Sequence, residues 1–218
     1  MQYYSSPNSS REESMTEAET ADETEAAVAK ALNTRIALYD PTQDSLEEIT
    51  NLLHQAYASL AARGFNYVAA TQTTAVTESR LTAGKGYIAR LTGEAKIIGT
   101  VTYYTTARVA PDEPEYYKKS TVGHFGQFAV HPEMQKFGIG SRLVEFVESL
   151  ARAEGKEEMA CDTAEGATDL IEYYISKGYR LIEYHQWDKA CYRSVILSKR
   201  LVGRSRQSCK NNSANLET

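Results

Sequence analysis

Apolar residues along this chain recur with two periods. From Thr34 to Tyr39 (TRIALY) they alternate with polar ones, the mark of a half-buried strand, and Asp40-Pro41 ends the run. From Gln43 to Arg63 the period changes. Leu46, Ile49, Leu52, Leu53, Ala56, Tyr57 and Leu60 fall three or four apart, which predicts a helix closed by Gly64. Thr73 to Ala83 predicts a second helix, ended at Gly84. Gly86 to Leu91 and Lys96 to Thr106 read as a hairpin across Thr92-Gly93-Glu94-Ala95. Val109 to Ser120 holds Pro111, Pro114 and the pair Tyr116-Tyr117, and reads as a loop. Val122 to Val130 is a strand broken by His131-Pro132. Gly138 to Glu154 carries Ile139, Leu143, Phe146, Val147 and Leu150 on one side, a helix that Gly155 caps. Glu158 to Thr163 is a short strand, and Ala167 to Lys177 a helix stopped by Gly178. Tyr179 to Trp187 and Tyr192 to Leu201 are two last strands joined by Asp188-Lys189-Ala190. The order β-α-α-β-β-β-α-β-α-β-β implies an α/β (α+β) fold, a mixed sheet with helices on both faces. The last strand, Tyr192 to Leu201, is expected at the sheet edge, where it offers a route to a homodimer; otherwise the chain is a monomer.

Outside this pattern the composition changes. Residues 1–33 are rich in Ser, Thr, Glu and Ala and poor in large apolar side chains, which is expected of a disordered acidic tail. The stretch Thr20 to Leu32 could form a transient helix. Residues 202–218 read as a second disordered tail, basic in character. One compact domain is left over 34–201, long enough for a sizeable core. The net charge of −5 is unevenly spread, with seven acids and two bases in residues 1–30 against five bases and one acid in residues 199–218. The body between is weakly acidic, which argues against nucleic acid as a partner, since phosphate contacts need clustered positive charge. No apolar run approaches the ~20 residues of a membrane span. No basic-then-apolar leader opens the sequence, so no membrane partner and a cytoplasmic location are expected. Cys161, Cys191 and Cys209 are too few and too scattered for a disulfide framework or a metal site.

Candidate chemistry lies between Phe125 and Leu143, FGQFAVHPEMQKFGIGSRL. A strand ends in a turn containing Gln135-x-x-Gly138-x-Gly140, and Ser141-Arg142 continue into an amphipathic helix. Glycine allows positive φ and close approach of a bulky anion to the backbone. The first N–H groups of a helix lack internal partners and stand at the positive end of its dipole. The combination is a main-chain phosphate cradle, with Lys136 adding charge. Two glycines also ease an ordinary strand-to-helix turn, but the preceding strand, Gln135 and the following helix favour the cradle. A dinucleotide-binding G-x-G-x-x-G would need glycine where Leu143 stands, and no Gly-Lys-Ser/Thr loop is present.

Gln135-Lys136-Phe137-Gly138-Ile139-Gly140 resembles the Q/R-x-x-G-x-G/A signature of the GNAT superfamily of N-acetyltransferases. The element order over 34–201 is similar as well. The resemblance implies a mostly antiparallel sheet of six to seven strands with splayed central strands. It implies acetyl-CoA as cosubstrate, no metal, and transfer of an acetyl group to a primary amine of a small molecule or peptide by direct attack in a ternary complex. A binding module that keeps the acyl-CoA cradle without catalysis is the alternative. In that superfamily the loop amides hold the coenzyme A pyrophosphate, which carries over to Gln135, Lys136, Phe137, Gly138, Ile139, Gly140 and Ser141. The strand before it pairs with the pantetheine arm, which maps to Phe128, Ala129 and Val130.

A second stretch, Ile171-Glu-Tyr-Tyr-Ile-Ser-Lys-Gly-Tyr179, is similar to the superfamily's helix ending F-Y-x-x-x-G-F/Y, which implies Tyr174 as general acid. A phenol can give a proton or a hydrogen bond to a departing thiolate; Tyr174 as an ordinary core aromatic is the competing interpretation. His124, Asp162 and Glu165 are candidate bases for the protonated acceptor amine, and His124 is also a plausible packed residue. Gln127 could orient water or acceptor, His131 is structural, and Cys161 reads as a small buried hydrophobe. Tyr57 to Gln72, Tyr103 to Lys118 and Trp187 mark the acceptor region. There Tyr67, Tyr103, Tyr104, Tyr116 and Tyr117 either wall a pocket or pack the sheet.

Overall fold

A computed structural model describes residues 33–105 and 112–201. The two expected tails and residues 106–111, which take in the end of the expected strand 96–106 and the start of the expected loop 109–120, lie outside the described residues. Seven strands form one sheet in the order β1-β2-β3-β4-β5-β7-β6. They are β1 (Thr34–Leu38), β2 (Lys85–Leu91), β3 (Ile97–Tyr104), β4 (Val122–Val130), β5 (Glu158–Ala164), β6 (Arg180–His185) and β7 (Ser194–Arg200). Every pairing is antiparallel except β4 with β5. Among the described residues four α-helices cover it: α1 (Leu46–Ala62), α2 (Thr74–Ala83), α3 (Ile139–Ala153) and α4 (Thr168–Ser176).

The two helical stripes read from the sequence bury themselves on opposite faces. Leu143, Val147 and Ala151 of α3 and Tyr174 of α4 join Phe125, Met159, Cys161 and Leu197 in one core. Ile49, Leu52 and Leu53 of α1 and Leu81 of α2 pack on Ile88, Ile97 and Ala129 of the other face. Side chains cap α1 and α2, where Ser45 accepts from the Glu48 amide at 3.2 Å and Thr73 from the Val76 amide at 3.3 Å.

Two expectations need correction. The last strand is not an edge: β7 lies between β5 and β6, so its main chain is paired on both sides and cannot recruit a second copy. The edges are β1 and β6. The segment read as a loop before β4 contains a short 3-10 turn, Glu115–Lys118, with Tyr116 and Tyr117 buried. Two adjacent large aromatics drive that turn onto the sheet despite the flanking prolines, because burying each removes a large apolar area from water.

Candidate active site

The sheet opens at its centre. β4 and β5 pair only through Val122↔Glu158, Gly123↔Met159 and His124↔Ala160, and beyond that point they part. On its other side β4 stays with β3, but with a bulge: Thr102 pairs with Gly126 and Thr100 with Ala129, so Val101 faces two residues, Gln127 and Phe128. Gln127 sits at φ 49°, in the left-handed region. Lys136, in the turn after β4, sits at φ 67°. Among the described residues these are the two non-glycine residues with positive φ, and both belong to the segment singled out for chemistry. Such strain costs on the order of 1 kcal/mol and persists where the surroundings enforce it.

The turn leads into α3 without a side-chain cap. Gly138 is its N-cap at φ 77°, no side chain accepts from the first-turn amides, and no acid occupies that turn. α1 by contrast has Glu47 and Glu48 in its first turn beside the Ser45 cap. The start of α3 therefore presents bare N–H groups at the positive end of the dipole. Gly140 admits close approach, since a Cβ there would stand 3.3 Å from Phe128 Cζ and 3.5 Å from the Tyr173 hydroxyl. Gln135 is exposed, but its Nε2 donates to the Val130 carbonyl at 3.2 Å and ties the turn to the end of β4. These features fit a diphosphate at the turn. A role for Tyr173 at this corner was not expected from the sequence, where only its neighbour Tyr174 was assigned one.

Tyr174 projects from α4 toward the parted strands. Its ring lies 6.1 Å from that of Phe125 and 6.5 Å from that of Phe128, both on β4. Burial raises its phenol well above the ordinary value near 10, with Cys161 and Tyr57 adding to the effect, so the group stays protonated. Cys161 is 1% exposed, and burial likewise pushes its thiol up, away from a reactive thiolate.

On the α1 side of the sheet, aromatic hydroxyls close over the gap. The Tyr57 hydroxyl donates to the Phe128 carbonyl of β4 at 3.1 Å. The Ala164 amide of β5 donates to the Tyr67 hydroxyl at 2.7 Å. The rings of Tyr57 and Tyr67 are 5.2 Å apart, and Tyr67 is 4.8 Å from Tyr192. Asn66 bridges to the loop before β7, donating to the Lys189 carbonyl at 3.0 Å and accepting from the Cys191 amide at 2.8 Å. This wall narrows the approach to the gap.

Lower in the gap stands Asp162. It accepts from Trp187 Nε1 at 3.1 Å, from the Tyr117 hydroxyl at 3.2 Å and from Ser194 Oγ at 3.4 Å. His124 lies behind this group. It is 2% exposed, and its ring stacks between Tyr117 at 4.1 Å and Tyr104 at 4.9 Å. Glu165 is exposed and held by Arg193 through two hydrogen bonds of 2.7 and 3.0 Å, which lower its pKa. Of the five tyrosines named from the sequence, Tyr67 and Tyr117 line the gap. Tyr103 is turned away, its hydroxyl on Glu154 at 3.0 Å, and Tyr116 binds Glu158 at 2.5 Å. Among the described residues no cluster of His, Cys, Asp and Glu suited to a metal ion occurs, and no helix is long and apolar enough to cross a membrane.

Solved structures of other proteins share this fold. A GNAT family acetyltransferase from Elizabethkingia anophelis with acetyl-CoA bound superposes with a TM-score of 0.54 at 18% identity, over 77% of this chain and 98% of that one. A Bacillus subtilis acetyltransferase in complex with CoA gives 0.55 at 18% identity, over 78% and 99%. The ribosomal-protein-S18-alanine N-acetyltransferase from Escherichia coli gives 0.56 at 13% identity, over 79% and 97%. At these identities the likeness concerns the fold. No curated protein sequence matches the chain. The sequence model of the Acetyltransferase (GNAT) family matches residues 46–179, more than half of the chain. With the parted strands and the bare helix start inside that span, the chain belongs to the GNAT family of acetyltransferases.

Proposed function

We propose that this protein transfers an acetyl group from acetyl-CoA to the primary amine of a small molecule or peptide, by direct attack with both substrates bound. The observation that carries this reading is the separation of β4 from β5 beyond His124↔Ala160, with the uncapped start of α3 at one end and Tyr174 beside it. Acetyl-CoA brings an acetyl group already activated as a thioester. The amides from Gln135 to Ser141 would hold its diphosphate, and the edge of β4 that β5 leaves at Phe128, Ala129 and Val130 would hold its pantetheine arm. Main-chain N–H groups near the bulge would donate to the carbonyl oxygen. Tyr174 Oη, neutral at every physiological pH, donates a proton or hydrogen bond to the leaving sulfur.

On the acceptor side the amine arrives protonated and must give up a proton. We assign that proton to Asp162, directly or through water, because it stands on β5 just past the last pairing with β4 and its donors are neutral. His124 stands one layer behind and supports Tyr117, which in turn holds Asp162. The aromatic wall of Tyr57, Tyr67 and Tyr192 favours a slender amine over one carried on a bulky surface.

The test is thiol release from acetyl-CoA across a panel of amines with wild-type protein and Tyr174→Phe. Acetylation by the wild type that falls about a hundredfold or more in the variant supports the reading. Acetyl-CoA binding by both proteins with turnover by neither would instead make the chain a non-catalytic acyl-CoA sensor.

A further inference from the structure

Four buried polar side chains from separate parts of the chain meet at the β4 bulge, and the chemistry above uses none of them directly. Gln72, just before α2, is 4% exposed, and Gln127 is 6% exposed. Gln72 Nε2 donates to Gln127 Oε1 at 2.8 Å and to Thr77 Oγ1 of α2 at 2.7 Å. Thr50 Oγ1 of α1 lies 2.8 Å from Thr77 Oγ1 and bonds to the Leu46 carbonyl at 2.7 Å. The main chain of Gln72 is fixed as well, its carbonyl 2.8 Å from His54 Nε2 of α1.

Burying amides and hydroxyls is costly unless each is bonded, and apolar residues of equal size would serve packing alone. What this group holds is a residue in a conformation that it would otherwise leave. Gln127 at φ 49° relaxes to extended backbone unless restrained, and relaxation would remove the two-against-one bulge. The register of Phe128 to Val130 against β3 would then slip by one, reversing which main-chain and side-chain groups face the gap.

We infer that Gln72 is a positioning residue for acetyl transfer, clamping Gln127 so that the β4 main chain beyond the bulge keeps its alignment in the gap. The inference rests on the acetyltransferase reading, and it acts on the placement of the reacting carbonyl rather than on cofactor affinity. A displacement of about 1 Å at the reacting centre costs one to two orders of magnitude in rate.

The experiment uses the full chain with Gln72→Leu, Gln72→Glu, Gln127→Leu and the double variant Gln72→Leu/Gln127→Leu. Glutamate at 72 keeps the clamp, because it can accept from a turned-over Gln127 amide and from Thr77 Oγ1 once that hydroxyl turns from its 3.2 Å bond to the Thr73 carbonyl. We expect Gln72→Leu to lower kcat about tenfold with the KM for acetyl-CoA within about twofold. Gln72→Glu should recover most of that loss. The double variant should be no slower than the slower single, because both remove one interaction. In the ligand-free protein, Gln72→Leu should speed amide exchange at Phe128 and Ala129 relative to Gly123 and His124. An unchanged kcat per folded molecule, no recovery with glutamate, losses that multiply in the double variant, or unchanged exchange at the bulge overturns the inference. A wild-type protein without acetyltransferase activity ends the acetyltransferase reading instead, and the exchange measurement still decides whether the clamp exists.

Discussion

Tyr174 and Asp162 face the gap from opposite sides of the sheet, and each leads to a different kinetic signature. Burial opposes the charged form of a phenol, so the Tyr174 proton is held to well above pH 10. A donor is competent only below its pKa; the rate is therefore expected to climb with pH as the acceptor amine deprotonates, with no falling limb from Tyr174 below pH 10. A pH profile of kcat that turns down near 9 would remove Tyr174 from the acid role. Asp162→Asn should lower kcat/KM for the amine by about a hundredfold, with the smallest deficit at high pH, where free amine is abundant. His124→Phe keeps the stack with Tyr104 and Tyr117 and should stay within about threefold of wild type; a loss matching that of Asp162→Asn would make His124 the base. Tyr174 was legible in the sequence because its place four residues before Gly178 follows a pattern. Gln72 was not, since its importance comes from contact with a residue 55 positions away. The one local hint was polar Thr50 and Thr77 on helix faces that point to the core.

At the scale of elements, α3 begins differently from α1 and α2. α1 and α2 satisfy their first amides with Ser45 and Thr73, whereas α3 starts at bare Gly138. A helix start left without a cap gives up some stability in the free protein, which the proposed diphosphate would restore. Ser141→Glu puts a carboxylate in that first turn and should stabilise the free protein by about 0.3–1 kcal/mol through the dipole. The same charge repels a diphosphate, so the KM for acetyl-CoA should rise severalfold. A melt and a KM determination check both parts, and a variant that is more stable yet binds acetyl-CoA as well as wild type would contradict the cradle. The turn itself was legible because glycines mark it. The parting of β4 from β5 was known beforehand only through the resemblance, since strand pairing is not written in local periodicity. The same gap explains why β7 looked like an edge: chain order ends there, while spatial order places β6 outside it.

Across the whole molecule, Glu148 joins the α3 layer to the far strands. It is 2% exposed, and Lys199 Nζ of β7 lies 2.9 Å from both its oxygens, with Arg152 at 3.0 Å and the Tyr179 hydroxyl at 3.1 Å. Lys199 and Arg152 still reach water when this carboxylate is removed, but the buried Tyr179 hydroxyl loses its acceptor, so Glu148→Ala should cost about 2 kcal/mol while kcat per folded molecule stays near wild type. Denaturant unfolding measures the first and turnover at low temperature the second.

Binding of acetyl-CoA to the native chain is the property on which the site, the chemistry and the clamp all depend. A thermal melt of the full chain with acetyl-CoA, coenzyme A or NAD tests it most directly. At about 100 times its Kd, a ligand of the native state adds about 2.7 kcal/mol, which should raise the melting temperature by roughly 5–10 °C for a chain of this size. We expect that rise with acetyl-CoA and with coenzyme A, and none with NAD. No shift with acetyl-CoA at saturating concentration, or an equal shift with NAD, would contradict it and leave the glycines after β4 as no more than a turn.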